Sequence, residues 1–225
     1  SRAKKGLIQF EIGIQSYNEK TLKSVGRSAD IQKIEYNLKR LRDLNNIHIH
    51  ADLIAGLPCE NLESFIAGFD RLFNLKPHCL QLGFLKILKG SKIFYESDGF
   101  VAFSAPPYEV IKTPNLSFDD ILKLKTAEEM LEMYYNSGRF VNAMDYLLPR
   151  YFQPYWFFYN IGLYRKKYYD RQNLSAFDQC SLLYDFVACS FGDKELLSVL
   201  TDIINKDYSA SGNIRKWRRN KSAYQ

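Results

Sequence analysis

Residues able to do chemistry gather at a few places in the first ninety positions. In Gln9–Ser16 the order sets Phe10, Ile12 and Ile14 against Glu11, Gly13 and Gln15, so the carboxylate and the amide share one side of an extended segment. A carboxylate inside a fold is expensive without a partner, so Glu11 is expected to meet a cation, a water cluster or a ligand. Gln15 and Ser16 bring hydrogen-bonding groups to the segment's end. In His48–Ala55, Ile49 and Leu53 face one way and His48, His50 and Asp52 the other. The two histidines alternate like a metal pair, but no third ligand lies at suitable spacing and they stand at the N-terminal end of their strand, so they are read as structural. Asp52 could orient a ligand or pair with Lys86. Lys86, Lys89 and Gly90 could bind an anionic group, although the GxxxxGK pattern of a phosphate loop is absent.

These residues need a scaffold, and composition supplies one. The chain has 225 residues, 46% apolar and 15% aromatic, enough for a substantial core. No apolar run is long enough for a membrane span and no signal peptide marks the start, so a cytoplasmic setting is expected. Cys59, Cys79, Cys180 and Cys189 are scattered, with no CxxC or CxxxCxxC, and are read as reduced core thiols. Net charge is +6, and Arg215, Lys216, Arg218, Arg219 and Lys221 supply nearly all of it, so the body is close to neutral and nucleic acid is an unfavoured partner. The start at Ser1, with a polar stretch running straight into Leu7 and Ile8, suggests an excised piece of a longer protein.

Strands and helices alternate over the first ninety residues. Strands are expected at Gln9–Ser16, His48–Ala55 and Cys79–Leu85. Between them lie amphipathic helices, Asp30–Leu44 carrying Ile31, Ile34, Leu38, Leu41 and Leu44, and Asn61–Leu75 carrying Phe65, Phe69, Leu72 and Phe73. This order builds a parallel sheet with external helices, and one polar face per strand favours a curved barrel wall over an open doubly wound sheet. The character changes near Gly99, where Pro106-Pro107 and Pro114 flank a short extended Tyr108–Lys112. The remainder reads as mostly helical: one helix capped by Ser117 and ending at Asn136-Ser137-Gly138, then stretches near 139–148, 154–171, 174–191 and 194–208. The aromatic run Tyr151–Tyr159 reads as helix-packing core.

Three segments in order resemble a known family. Glu11-Ile-Gly-Ile-Gln-Ser16 with Leu22 and Arg27 resembles the fourth barrel strand and following helix of radical S-adenosylmethionine (SAM) enzymes. Asp52-Leu-Ile-Ala-Gly-Leu-Pro58 with Cys59-Glu60 is similar to their fifth strand, and Leu82–Ser91 to their sixth strand and exit loop. The wording resembles most the cobalamin-binding branch that includes anaerobic magnesium-protoporphyrin monomethyl ester oxidative cyclases, as do Pro106–Val110 and Tyr135–Phe140.

The resemblance implies an α/β fold: the C-terminal half of a (β/α) barrel with parallel strands over residues 1–98, then a mostly helical domain with a basic tail over 99–225. It implies SAM as cofactor, a [4Fe-4S] cluster whose cysteine ligands lie outside this chain, possible cobalamin, an external electron donor, and hydrogen abstraction from an unknown substrate. Such a piece alone is expected to be inactive. Toward SAM the resemblance assigns Gln15 and Ser16 to the ribose or amino-acid portion, Arg27 to the carboxylate, and Ile54 and Gly56 to the adenine, with Glu11, Asp52 and Lys86 nearby. The bare alternative is a non-catalytic α/β binding module using its basic tail on RNA or an acidic partner. A half barrel would also leave strand edges open to self-association.

Overall fold

The computed structural model describes residues 3–96, 98–150, 153–169, 171–213 and 217. The chain forms two compact units, Ser1–Lys125 and Thr126–Gln225. The fold is mixed α/β.

The first unit is built on three parallel strands, β1 (Ile8–Gln15), β2 (Ile47–Ala55) and β3 (Cys79–Phe84), adjacent in the order β1-β2-β3. Sequential parallel order is the order of a (β/α)-barrel wall. The alternation in β2 becomes a strict burial alternation: Ile47, Ile49, Ala51, Leu53 and Ala55 are buried, and the residues between them are not. The buried face meets helices α2 (Ile31–Asp43) and α3 (Leu62–Phe73), and Phe65, Phe69, Leu72 and Leu80 complete the core. The expected boundaries hold to within a residue or two. Asp30 and Asn61 sit at the helix N-caps, accepting from the Lys33 and Ser64 amides. Arg71 on α3 grips Glu35 on α2 with both carboxylate oxygens, at 2.6 and 3.1 Å, and lies over the Tyr17 ring. The α2 stripe is covered less than its periodicity predicts. Leu38 is buried, whereas Leu44 caps the helix and stays exposed because the chain turns away there into Asn45, at φ +49°.

Beyond β3, a short helix α4 (Lys92–Glu96) leads to a hairpin of β4 (Val101–Ala102) and β5 (Val110–Lys112), the expected extended segment. The hairpin clasps the exit of β3: the Val110 amide donates to Leu85 O, the Ile87 amide donates to Tyr108 O, and Lys86 bridges Glu109 antiparallel.

Helix α5 (Phe118–Leu131) is capped by Ser117, whose hydroxyl and amide bond the Asp120 carboxylate. A π-helical turn at Glu132–Asn136 follows. The second unit is helical, with α6 (Val141–Leu147), α7 (Pro154–Tyr168), α8 (Ala176–Phe191) and α9 (Lys194–Ala210), close to the spacing expected. Tyr155, Phe157 and Phe158 are core residues, while Tyr151 and Phe152 lie outside the described residues. So do all five cations of the basic tail, but Trp217 among them is described: it is buried, and its indole donates to Ser181 Oγ at 3.1 Å.

Helix α6 has no cap of its own, since Phe140 stands at its N-cap. Asp207 on α9 does the work from 64 residues away, accepting from the amides of Asn142 and Ala143 and from the Asn142 side chain. A buried carboxylate thus satisfies the orphan donors of another helix. Asp207→Ala is expected to cost about 2–3 kcal/mol, because it deletes a charge-assisted cap in a buried setting. Chemical denaturation of the chain and the variant measures it.

Candidate functional site

The parallel register places polar residues in rungs on the sheet face opposite the helices: Glu11 beside His50 beside Cys79, then Gly13 beside Asp52 beside Gln81. Glu11 is exposed on this face, within 3.4 Å of Gln9 Nε2, so the burial cost anticipated for it does not arise. Asp52 is half-buried, its Oδ1 without a hydrogen-bond partner. Burial, then the Glu11 charge, raise its pKa, and His50 opposes them. The pairing of Asp52 with Lys86 does not form. Lys86 lies beyond the end of β3, exposed and held in its bridge to Glu109.

His48 and His50 lie at the start of β2, away from the strand ends. With His78 they form a contiguous group, ring centroids 4.9 and 4.7 Å apart, and His78 Nδ1 accepts the Ile49 amide at 3.1 Å, extending the ladder at its start. Burial lowers the His48 and His78 pKa values. Among the described residues no group of three histidine, cysteine or acidic side chains could hold a metal ion.

At the opposite, C-terminal end of the strands lies a cavity of about 540 Å³. Ile54, Leu57, Leu85 and Ile93 supply apolar wall, and Gln15, Arg27, Lys92 and Glu96 supply polar groups. A mostly apolar recess with a few convergent polar groups, within the roughly 300–1,000 Å³ of small-molecule sites, suits a nucleoside-sized ligand. Strand C-termini are where barrel enzymes place their active sites.

Local sequence explains how these side chains arrive. After β1, Asn18 caps α1 (Glu19–Ser24) by accepting from the Lys20 and Thr21 amides. The helix ends on Gly26 at φ +70°, with the Gly26 amide on Lys23 O and the Arg27 amide on Leu22 O, a paired closure that only a residue tolerant of positive φ completes readily. That closure delivers Arg27 to the cavity, where its Nη1 donates to Gly13 O at 3.0 Å. Gln15, at φ +71° beside a register shift in β1, folds its amide back over Gly13, and a Cβ there would collide with it.

Of the residues singled out from sequence, Gln15, Arg27 and Ile54 line the cavity together. Gly56 is buried just behind it at φ +90°. Ser16 does not line it. Its side chain is 1% exposed, and its hydroxyl donates to Glu60 Oε1 at 2.6 Å while accepting from the Asn18 amide. The sequence alone assigns no site role to Gly13, Lys92, Glu96 or Glu60. The first could have been flagged as the glycine facing an amide two positions on; the others depend on where the chain returns.

Glu60 is buried at 1% exposure, and burial pushes its carboxyl up to about 7 against the weaker opposing effect of the Ser16 and Ser64 hydroxyls. Since the folded value exceeds the unfolded one, the unfolded chain ionises first. Stability is full below the unfolded value of 4.5 and falls as pH rises toward about 7. Glu60→Gln is expected to abolish this decline, on the order of 3 kcal/mol across the window. Urea unfolding midpoints of chain and variant, taken at a series of pH values, read it directly.

Comparison with known proteins places this geometry in context. The chain is similar to the oxygen-independent coproporphyrinogen-III oxidase-like protein HemZ of Bacillus subtilis, 32% identical over 87 residues, covering 38% of this chain and 17% of that protein. It is also similar to coproporphyrinogen III oxidase, anaerobic 1, of Cereibacter sphaeroides, 28% identical over 75 residues, covering 33% of this chain and 17% of that protein. The chain thus spans about a sixth of the length of these curated relatives. Among solved structures, coproporphyrinogen III oxidase (HemN) from Escherichia coli, described as a radical SAM enzyme, aligns with a TM-score of 0.40 and 25% identity over 59% of this chain and 27% of that one. The family described as "Protein of unknown function (DUF4080)" matches residues 98–222.

Proposed function

The chain belongs to the family of that description, DUF4080, over residues 98–222, and we propose that the protein it forms part of is a radical SAM enzyme whose cofactor-facing wall includes the cavity at the strand ends. The observation that carries this reading is the convergence of Gln15, Arg27 and Ile54, widely separated in sequence, on one recess of about 540 Å³. The sequence likeness to a coproporphyrinogen III oxidase and to a coproporphyrinogen-III oxidase-like protein supports it.

The residues present fit SAM. Ile54 and Leu57 offer an apolar wall to the adenine, with the Gly56 backbone close behind. The Gln15 amide suits the ribose or amino-acid portion. Arg27 spends one donor on Gly13 O and keeps others for a carboxylate, a charge-assisted contact. Glu11, Asp52 and Lys86 stand outside this lining as polar neighbours. Bound beside a [4Fe-4S] cluster held by residues outside this chain, SAM would supply radical chemistry for hydrogen abstraction from a substrate. The residues of this chain do not fit the cluster itself: the sequence has no CxxxCxxC, and no step is assigned to its cysteines. What this chain contributes is binding, orientation and a wall against water.

The finer reading, membership of the cobalamin-binding branch with oxidative cyclase-like or methyl-transfer chemistry, rests on Pro106–Val110 and Tyr135–Phe140. It assigns no residue of this chain to cobalamin. The region after about Gly99 is proposed as a separate unit of descent, since the family match begins at residue 98, although residues up to Lys125 belong to the first compact unit of the fold. No helix among the described residues is long and apolar enough to cross a membrane, and the proposed setting is the cytoplasm.

Isothermal titration of the chain with SAM tests the reading. Saturable binding is expected, weakened about tenfold by Arg27→Ala, the loss of one charge-assisted contact. Absence of binding, or binding indifferent to Arg27, would overturn it. Gly13→Ala is expected to weaken binding by displacing the Gln15 amide, while its thermal midpoint stays close to that of the parent chain. The displaced neighbour is the tip of a flexible side chain and costs little to move.

A further inference from the structure

We propose that Glu60 is a positioning residue for the cavity: its buried carboxyl holds the turn that follows β1 and thereby sets the Gln15 side chain. The proposal rests on the SAM-binding reading for its ligand and on the following geometry for its substance.

Two turns in left-handed conformation meet beside the cavity, one at Gln15, φ +71°, and one at Cys59, φ +65°. Neither residue is glycine, so each conformation is strained and must be held by its surroundings. One set of side chains holds both. Ser16 Oγ donates to Glu60 Oε1 at 2.6 Å and accepts the Asn18 amide at 2.9 Å. Asn18 Nδ2 donates to Ser64 Oγ at 3.1 Å and to Cys59 O at 3.5 Å, while its Oδ1 caps α1. Glu60 anchors this set through one bond: placed between the strained Cys59 and the α3 cap Asn61, its Oε1 accepts from the residue next to Gln15, while its buried Oε2 has no hydrogen-bond partner.

The groups facing its carboxyl are the Ser16 hydroxyl from the β1 exit and the Ser64 hydroxyl from α3, and no ionised side chain shares in its shift. With the carboxyl neutral no unpaired charge is buried, and the oxygen without a hydrogen-bond partner, Oε2, carries the proton. With the carboxyl ionised, relief comes from opening the Ser16 turn to water, which takes Gln15 off the cavity. Glu60 touches no reacting atom; it acts through Ser16 and Gln15.

The experiment compares the chain with Glu60→Gln and Glu60→Ala. SAM affinity is measured by titration between about pH 6 and pH 8, alongside amide hydrogen exchange over residues 16–21. Burial holds the Glu60 carboxyl to about 7, so the parent chain is expected to lose roughly tenfold in affinity across this range. Glu60→Gln keeps an acceptor for Ser16 without an ionisable proton, and should lose no more than the parent's ligand-borne component, with protection retained throughout. Glu60→Ala lacks the acceptor and should bind about tenfold more weakly than Glu60→Gln at both ends, with fast exchange at Asn18. Identical pH profiles in parent and Glu60→Gln, with equal exchange, would overturn the proposal. If the parent chain binds no SAM at all, the cofactor reading fails instead, and the exchange comparison alone decides whether Glu60 holds the turn.

Discussion

The two-residue alternation of β2 in a parallel ladder is the constraint on which the rest of the first unit depends. Ile47, Ile49, Ala51, Leu53 and Ala55 are drawn against α2 and α3 by burial, and the intervening His48, His50, Asp52 and Ile54 are turned to the other face as a consequence. The parallel register carries that choice sideways, so Glu11 and Gly13 on β1 and Gln81 on β3 join the same rungs. A slip of one residue would bury His48, His50 and Asp52 and expose Ile47, Ile49 and Leu53. The candidate cavity is therefore downstream of hydrophobic packing on the opposite face, and its polar groups owe their positions to apolar neighbours they never touch.

The same logic shows why some features were legible in the sequence and others were not. Period-two alternation and caps such as Asp30, Asn61 and Ser117 are local signals, and the elements they announce formed within a residue or two of the expected limits. Arg27 was singled out through a family resemblance, yet its placement follows from Gly26, whose closure of α1 is itself a local signal. Glu60 and Asp207 were not legible. Each is a buried carboxyl whose partners lie 44 and 64 residues away, and in sequence an acidic residue beside a helix start looks like an ordinary surface group. Ser16 shows the complementary error: a polar residue at a strand end was read as facing a ligand, and the fold uses it for its own wiring.

Polar economy differs between the two units. In the first, hydroxyls, amides and one carboxyl tie loops that border a recess. In the second, Asp207 closes a helix end, and the Tyr134 hydroxyl donates to Gln179 O inside a wholly buried environment. Burial raises the Tyr134 pKa well above its ordinary value, as expected of a phenol serving as a neutral donor. The polar interior there reads as scaffolding, and the candidate cavity lies at the strand ends of the first unit.

Gly56 carries a consequence for descent. Its backbone stands at φ +90°, and a Cβ there would come within 2.5 Å of Val110 Cγ1. Two independent barriers therefore guard one position: shrinking Val110 clears the space but leaves a backbone that is strained for a side chain. Val110 belongs to the stretch that the family matches, and Gly56 to the turn that follows β2. Exchange of the family stretch between related proteins is thus constrained at this joint, since an incoming segment must bring a residue at position 110 that seats against a bare backbone. Chimeras that ignore this pairing would inherit a fault at the seam, however well each half folds alone.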